Sequence, residues 1–228
     1  MQRETAFEDV VPLRPEEEEQ RRALLGEMKK SIKSSRIRES GTRGPCEYVK
    51  GVGLLFSAPH EVAQLRDGEE KVAERGTGDL AFALAGITGA SALATVGLQS
   101  GDPNWDLNHP YVNTARDLAG TAPIIDLHMM RPRGPDICIG LGPEPALSEG
   151  LWRPLLEEAV ESGLRASVNW PFGANARTVT GQLQRLGHAA VQVELSWECF
   201  DEGHPAMLRA WTTLARAATR LAVPPAAD

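Results

Sequence analysis

Three stretches of this 228-residue chain bring side chains able to bind a metal or move a proton to the end of an apolar run. In Pro123-Ile124-Ile125-Asp126-Leu127-His128-Met129-Met130 the run closes on an acid and a histidine. Gly53-Leu54-Leu55-Phe56-Ser57-Ala58-Pro59-His60 delivers a second histidine, and Val191-Gln192-Val193-Glu194-Leu195 carries a glutamate. Short apolar runs of this kind read as buried strands. Ligands of open α/β sheets sit beyond the carboxyl ends of the strands, so all three groups are expected near one point. That chemistry would be a metal-assisted hydrolysis.

Asp126 and His128 alternate at period two and so share a face of their strand, where the acid can orient the ring. Catalytic zinc favours three protein ligands plus water, and two histidines with a glutamate form a standard set. Glu61 and Glu74 are the candidate carboxylates. Glu61 adjoins His60 and tends to point away from it on an extended chain. Glu74 stands where the loop must return to the sheet and is preferred. The spacing is not a compact His-Glu-x-x-His pattern. Glu194 fits two readings equally: an ordinary outward-facing strand residue paired with Gln192, or a general base beside a metal-activated water. His60 likewise has a plain reading as a structural histidine at a strand end.

Strands and helices alternate from Glu47 onward. Strands are expected at about 51–58, 90–97, 123–127, 137–142, 165–170 and 189–197. Helices are expected at about 79–86, 112–118, 148–162 and 204–221, the third capped by Ser148 with Leu151, Leu155, Leu156 and Val160 inward. Such alternation predicts a three-layer α/β/α domain with a mixed, mostly parallel sheet over residues 46–228. Residues 1–45 differ. Acids after Pro15 and bases from Lys29 to Arg36 suit the two ends of a helix dipole, giving an N-terminal helical extension joined by a linker at Gly41-Thr42-Arg43-Gly44-Pro45. The last six residues, from Val223, are expected to fray.

Composition narrows the partners. A net charge of −7 argues against nucleic acid, which needs a basic surface. No apolar run reaches the roughly 18 residues of a membrane span, and no secretory signal precedes the first element. Cys46, Cys138 and Cys199 form no Cys-x-x-Cys pair and point to a reducing cytoplasm. Gly76-Thr77-Gly78-Asp79-Leu80-Ala81 matches a dinucleotide fingerprint only on paper, because no strand precedes it. The absence of a Gly-x-Ser-x-Gly elbow removes the common serine hydrolase reading.

From about Gly53 to Phe200 the chain resembles the N-formylglutamate amidohydrolases, a family similar in turn to zinc carboxypeptidases and phage poly-γ-glutamate hydrolases. The pieces that carry the resemblance are Ser57-Ala58-Pro59-His60, Arg66-Asp67-Gly68 with Glu74 and Thr77-Gly78, and Asp102-Pro103-Asn104-Trp105-Asp106 with Pro110-Tyr111. Asp126-Leu127-His128, Asp136-Ile137 with Gly140, and Gln192-Val193-Glu194-Leu195 complete it. The resemblance implies one Zn2+ held by His60, Glu74 and His128, with Glu194 as general base. It implies cleavage of an amide beside a carboxylate in a small N-acyl amino acid or peptide-like acidic substrate. An arginine should then anchor that carboxylate, and Arg131, Arg133 and Arg177 are the candidates. Met129 stands where the family often has glycine, and the loop Phe172-Gly173-Ala174-Asn175 lacks the paired glycines of relatives. Those departures bear on the pocket wall. They leave open a zinc peptidase or esterase, or a binding module that kept the fold without catalysis. A homo-oligomer is compatible with all of these.

Overall fold

The apolar runs become the inner strands of one mixed sheet. The structure, a computed structural model, describes residues 15, 19, 22, 25, 26, 40–43, 46–97 and 101–222. Its sheet runs β1-β2-β6-β3-β7-β10-β8-β9. The strands are β1 (Ser40–Arg43), β2 (Cys46–Val49), β3 (Leu55–Ala58), β6 (Ser91–Thr95), β7 (Ile124–Met130), β8 (Ile137–Gly140), β9 (Ala166–Val168) and β10 (Ala190–Ser196). The central four, β6, β3, β7 and β10, are parallel neighbours, whereas β1, β2 and β8 join antiparallel. The remaining strands, β4 (Gln64–Arg66) and β5 (Glu69–Lys71), form a separate hairpin.

Period-two alternation divides the central strands into two faces. Ile125, Leu127, Val191, Val193 and Leu195 share one core with helices α1 (Thr77–Thr88), α3 (Glu149–Glu161) and α5 (Pro205–Ala222). Leu55, Leu93 and Ile124 face the other way, toward α2 (Pro110–Ala119) and α4 (Val179–Arg185). This is the three-layer α/β/α architecture. Helix α1 is apolar nearly all round, with Leu80 to Ala85 buried, because it lies between the sheet and α5. It ends at Gly89, whose φ of 77° supplies the left-handed C-cap while its N–H donates to Ala85 O.

Several elements differ from expectation for identifiable reasons. Gly41–Arg43 is an edge strand rather than a linker, so the sheet begins at Ser40, ahead of the expected boundary at residue 45. Residues 15, 19, 22, 25 and 26 are helical, and Leu25 packs against the main core. The rest of the expected N-terminal helix lies outside the described residues, as does the stretch from Val223. Ser148 stands at the N-cap position of α3 but makes no side-chain cap bond; it also closes a 3₁₀ turn, Pro145–Ser148, and its hydroxyl donates to Ala190 O at 2.8 Å. Val160, expected inward, is exposed, and Ala159 takes the core position. Helix α4 was not expected at all. It is half-polar and seven residues long, and its signal is the Thr178 hydroxyl, which accepts from Gly181 N at 3.1 Å. No described helix is long and apolar enough to cross a membrane. All three cysteines are free and buried.

Candidate metal centre

The polar residues collect on the α2/α4 face, toward the carboxyl ends of β3, β7 and β10. His60 follows β3 by two residues, His128 lies near the end of β7, and Glu194 stands on β10 in register with His128. Both histidines are about 1% exposed, so neither ring can be left to solvent. Glu74 arrives from the segment between β5 and α1, its N–H donating to His60 O at 2.7 Å. One ligand atom each from His60, Glu74 and His128 falls within 4.8 Å of the others, and the rings meet edge to face with centroids 4.9 Å apart.

Each histidine turns one nitrogen toward Glu74 and the other toward a buried acid. His60 Nδ1 lies 3.0 Å from Glu74 Oε1, and His60 Nε2 lies 2.8 Å from Asp102 Oδ1. His128 Nδ1 lies 2.9 Å from Glu74 Oε2, and His128 Nε2 lies 3.2 Å from Asp126 Oδ2. The Lys71 ammonium lies beside the His60 ring, 3.0 Å from Nδ1 and 3.5 Å from Nε2. A ring proton held on Nε2 would be donated to Asp102. A carboxylate behind a histidine is the arrangement that orients a metal-ligating ring and raises its basicity. Two imidazole nitrogens and a carboxylate this close to one another could hold a metal ion, and their types are those of zinc sites.

The outer partners are themselves held. Arg66 Nε donates to Asp102 Oδ2 at 2.8 Å, and the same acid's Oδ1 accepts from Asn104 N at 2.9 Å. Ser57 Oγ donates to Asp126 Oδ1 at 2.8 Å, with the Tyr111 hydroxyl 2.9 Å from that serine. Asn104 Nδ2 reaches His128 Nε2 at 3.2 Å while its Oδ1 accepts from Val179 N at 2.7 Å, which ties the loop to α4. Burial raises the pKa of Glu74, but the His128 and His60 rings outweigh it and hold the carboxyl well below its ordinary range. Burial lowers the pKa of His128, yet Glu74 and Asp126 pull it well above the usual imidazole value. Burial raises the Asp102 pKa too, and the contact with His60 reverses the shift.

Glu194 is 8% exposed and hydrogen-bonded to its neighbour two residues back, Gln192 Nε2 donating to its Oε1 at 2.8 Å. Burial pushes its carboxyl above the ordinary value, against the pull of His128. The outward-facing solvent residue is therefore not what stands here: the face that Gln192 and Glu194 share is the site's own wall. Glu61, the other candidate carboxylate, is occupied at the start of α1. It accepts from Gly76 N at 3.0 Å and from Gly78 N at 2.6 Å, so it caps a helix and does not join the histidines.

The arginines are dispersed. Arg177 stacks on Trp105, 4.4 Å from the ring centroid, and its Nε donates to Trp105 O at 3.0 Å; Arg66 covers the same indole at 5.0 Å. Arg133 lies over the Phe172 ring at 5.3 Å, and Arg131 is exposed. Of the three candidate anchors it is Arg177 that contacts the loop carrying Asp102 and Asn104, a loop that Arg66 also grips. The residues that sequence reasoning left out of the site are Lys71, Asp102 and Asn104. Lys71 lies in a polar stretch with no apolar run to mark its strand, although Asp67-Gly68, both with positive φ, is the turn dipeptide of a two-residue hairpin.

No protein-family model matches the chain, and no curated protein matches it. Solved structures do. N-formylglutamate amidohydrolase from Ralstonia eutropha JMP134 superposes with a TM-score of 0.55 at 15% identity, over 79% of this chain and 97% of that one. Bacteriophage poly-γ-glutamate hydrolase follows with a TM-score of 0.52 at 15% identity, over 79% of this chain and 90% of that one. The gene product Atu2144 from Agrobacterium tumefaciens has a TM-score of 0.52 at 14% identity, over 77% and 95%. The chain shares the fold of these structures. At such identity the likeness is one of fold, and the chemistry must be argued from the residues.

Proposed function

We propose that this chain is a zinc-dependent hydrolase of an amide bond in a small or peptide-like acidic substrate, an N-acyl amino acid being the simplest case. The observation that carries the reading is the pair of buried histidines converging on Glu74, with Asp102 and Asp126 behind them. A metal at that set would supply Lewis acidity toward a carbonyl and acidify water. Around it the chain's own residues do defined work. Asp102 and Asp126 orient the two imidazoles. Glu194, dry and held by Gln192, takes a proton from the attacking water and returns it to the leaving nitrogen. Arg177, stacked on Trp105 in the Asp102 loop, is the best placed of the three arginines to meet a substrate carboxylate, Arg133 lying over Phe172 and Arg131 being exposed. No nucleic-acid or membrane partner is required by this reading.

The test is metal content and turnover together. Protein purified without chelator should hold about one zinc per chain, and His128→Ala should lose it. Glu194→Gln should keep the metal while turnover of N-acyl amino acids falls by about 10²–10⁴-fold. Full activity in Glu194→Gln would remove the general base. Absence of metal from the wild-type protein, even after zinc is added, would remove the hydrolase.

A further inference from the structure

The β4–β5 hairpin brings a cation into the donor set. Its turn is made by Asp67 and Gly68, with φ of 52° and 83°, and its register pairs Gln64 with Lys71 and Arg66 with Glu69. Residues paired across a hairpin share a face, so Gln64, Arg66 and Lys71 all point to the same side. Each makes a contact with the site or its support. Gln64 is fully buried, and its Nε2 donates to Pro59 O at 2.9 Å and to Val62 O at 2.8 Å, fixing the base of the hairpin beside His60. Arg66 grips Asp102, the acid behind His60, with its Nη2 2.6 Å from Oδ2. Lys71 reaches the front of the same ring: its Nζ is 3.0 Å from His60 Nδ1 and 3.6 Å from Glu74 Oε1.

The ammonium thus lies against two of the three donor residues, close over the His60 ring (3.0 Å from Nδ1, 3.5 Å from Nε2) and 3.6 Å from Glu74 Oε1. We infer that Lys71 is a built-in competitor for the metal, an internal counter-ion that fills the donor set when the ion is absent and must withdraw for the ion to bind. The inference rests on the metal reading above and adds to it a residue that sets affinity. Two physical points support it. The ammonium places a positive charge 3.0 Å from His60 Nδ1 and 3.6 Å from Glu74 Oε1, so a divalent ion entering among these donors meets a like charge at close range. Lys71 is also about a third exposed, on a four-carbon stem, so it can swing out into water without moving the hairpin. Entry of a divalent ion and departure of the lysine are then one exchange. Its cost is taken from the apparent metal affinity.

The experiment is a zinc titration of chelator-stripped full-length protein against a fluorescent chelator, for wild type, Lys71→Met and Lys71→Arg, with thermal melting of the stripped forms. Methionine keeps the length of the stem and removes the charge. Lys71→Met should bind zinc about tenfold more tightly than wild type, the scale of one unfavourable charge at this distance. Its stripped form should melt below stripped wild type, since the donors lose their counter-ion. Lys71→Arg should stay within a few-fold of wild type in affinity, because a cation is retained. Equal or weaker zinc binding in Lys71→Met would overturn the competition while leaving the metal centre intact. Failure of wild type and both variants to take zinc would overturn the competition and the metal reading together.

Discussion

At the scale of single residues, the neighbours decide what each acid does. Glu61, Glu74 and Glu194 are all glutamates on one side of the molecule, yet one caps a helix, one faces two imidazoles and one waits dry on a strand. Burial holds the Glu194 pKa above the ordinary carboxylate value, and the Gln192 amide works against that by favouring the ionised form. A general base acts deprotonated, so kcat/KM should fall as pH drops through this raised pKa. Gln192→Met removes a donor to the carboxylate and should move that acidic limb to higher pH with zinc content unchanged. A pH–rate profile checks it; a limb that stays put or moves down would separate Gln192 from the base. The amide oxygen of Gln192 is buried without a partner, a further mark of a face shaped for something other than packing.

At the scale of elements, the positioning is done by loops held to helices. The Asp102–His109 segment is turned by its own acids, with Asp102 N donating to Asp106 Oδ2 at 2.8 Å and Trp105 N to Asp102 O at 2.9 Å. Helix α4 clamps it: Gln182 Nε2 donates to Pro103 O at 3.0 Å, and Val179 N to Asn104 Oδ1 at 2.7 Å. This clamp depends on Gly181. A Cβ there would lie 1.9 Å from Asn175 O, a backbone atom with no rotamer to escape into. Gly181→Ala should therefore cost about 2–3 kcal/mol in denaturant unfolding, toward the upper end for an overpacked core, and should weaken zinc binding by loosening Asn104. Unchanged stability would mean that the Asn175 turn gives way freely. Helix α4 was the least legible element for the same reason. Its apolar face is only Val179 and Leu183, and the buried Gln182 and Gln184 serve neighbouring loops, so little apolar pattern is there to be read.

For the whole molecule, the sheet is a support that two cores grip from opposite sides, and the candidate metal ligands come from separate segments: His60 after β3, Glu74 ahead of α1 and His128 on β7. His60, Glu74 and His128 span 68 residues of sequence, and Asp102 lies between them. An ion bound by all of them favours the folded state only, because the unfolded chain cannot gather the set. Zinc at about 100 times its Kd should then stabilise the stripped protein by about 2.7 kcal/mol, raising Tm by about 5–10 °C for a chain of this size. Differential scanning fluorimetry with and without a chelator reads this directly. A melting curve indifferent to zinc would mean that the donors are already satisfied without it.

Much of this arrangement was present in one dimension. Apolar runs are determined locally, so the central strands, four of the helices and the carboxyl-end placement of His60, His128 and Glu194 follow from the sequence by itself. The pairing of Asp126 with His128 also follows, because period two is a property of any strand. What only the tertiary structure decided is whatever depends on distant segments meeting. The contacts behind the preference for Glu74 over Glu61 are of this kind: the chain folds back on His60 O, while Glu61 is drawn to the N-terminus of α1. Asp102 stands behind His60 through a contact spanning 42 residues. Lys71 enters the site through a hairpin whose only signal was two turn residues, and the arginines turned to aromatic faces that no spacing reveals. Local pattern fixes which face a side chain takes, but the partner on that face is supplied by packing between segments that the sequence keeps far apart.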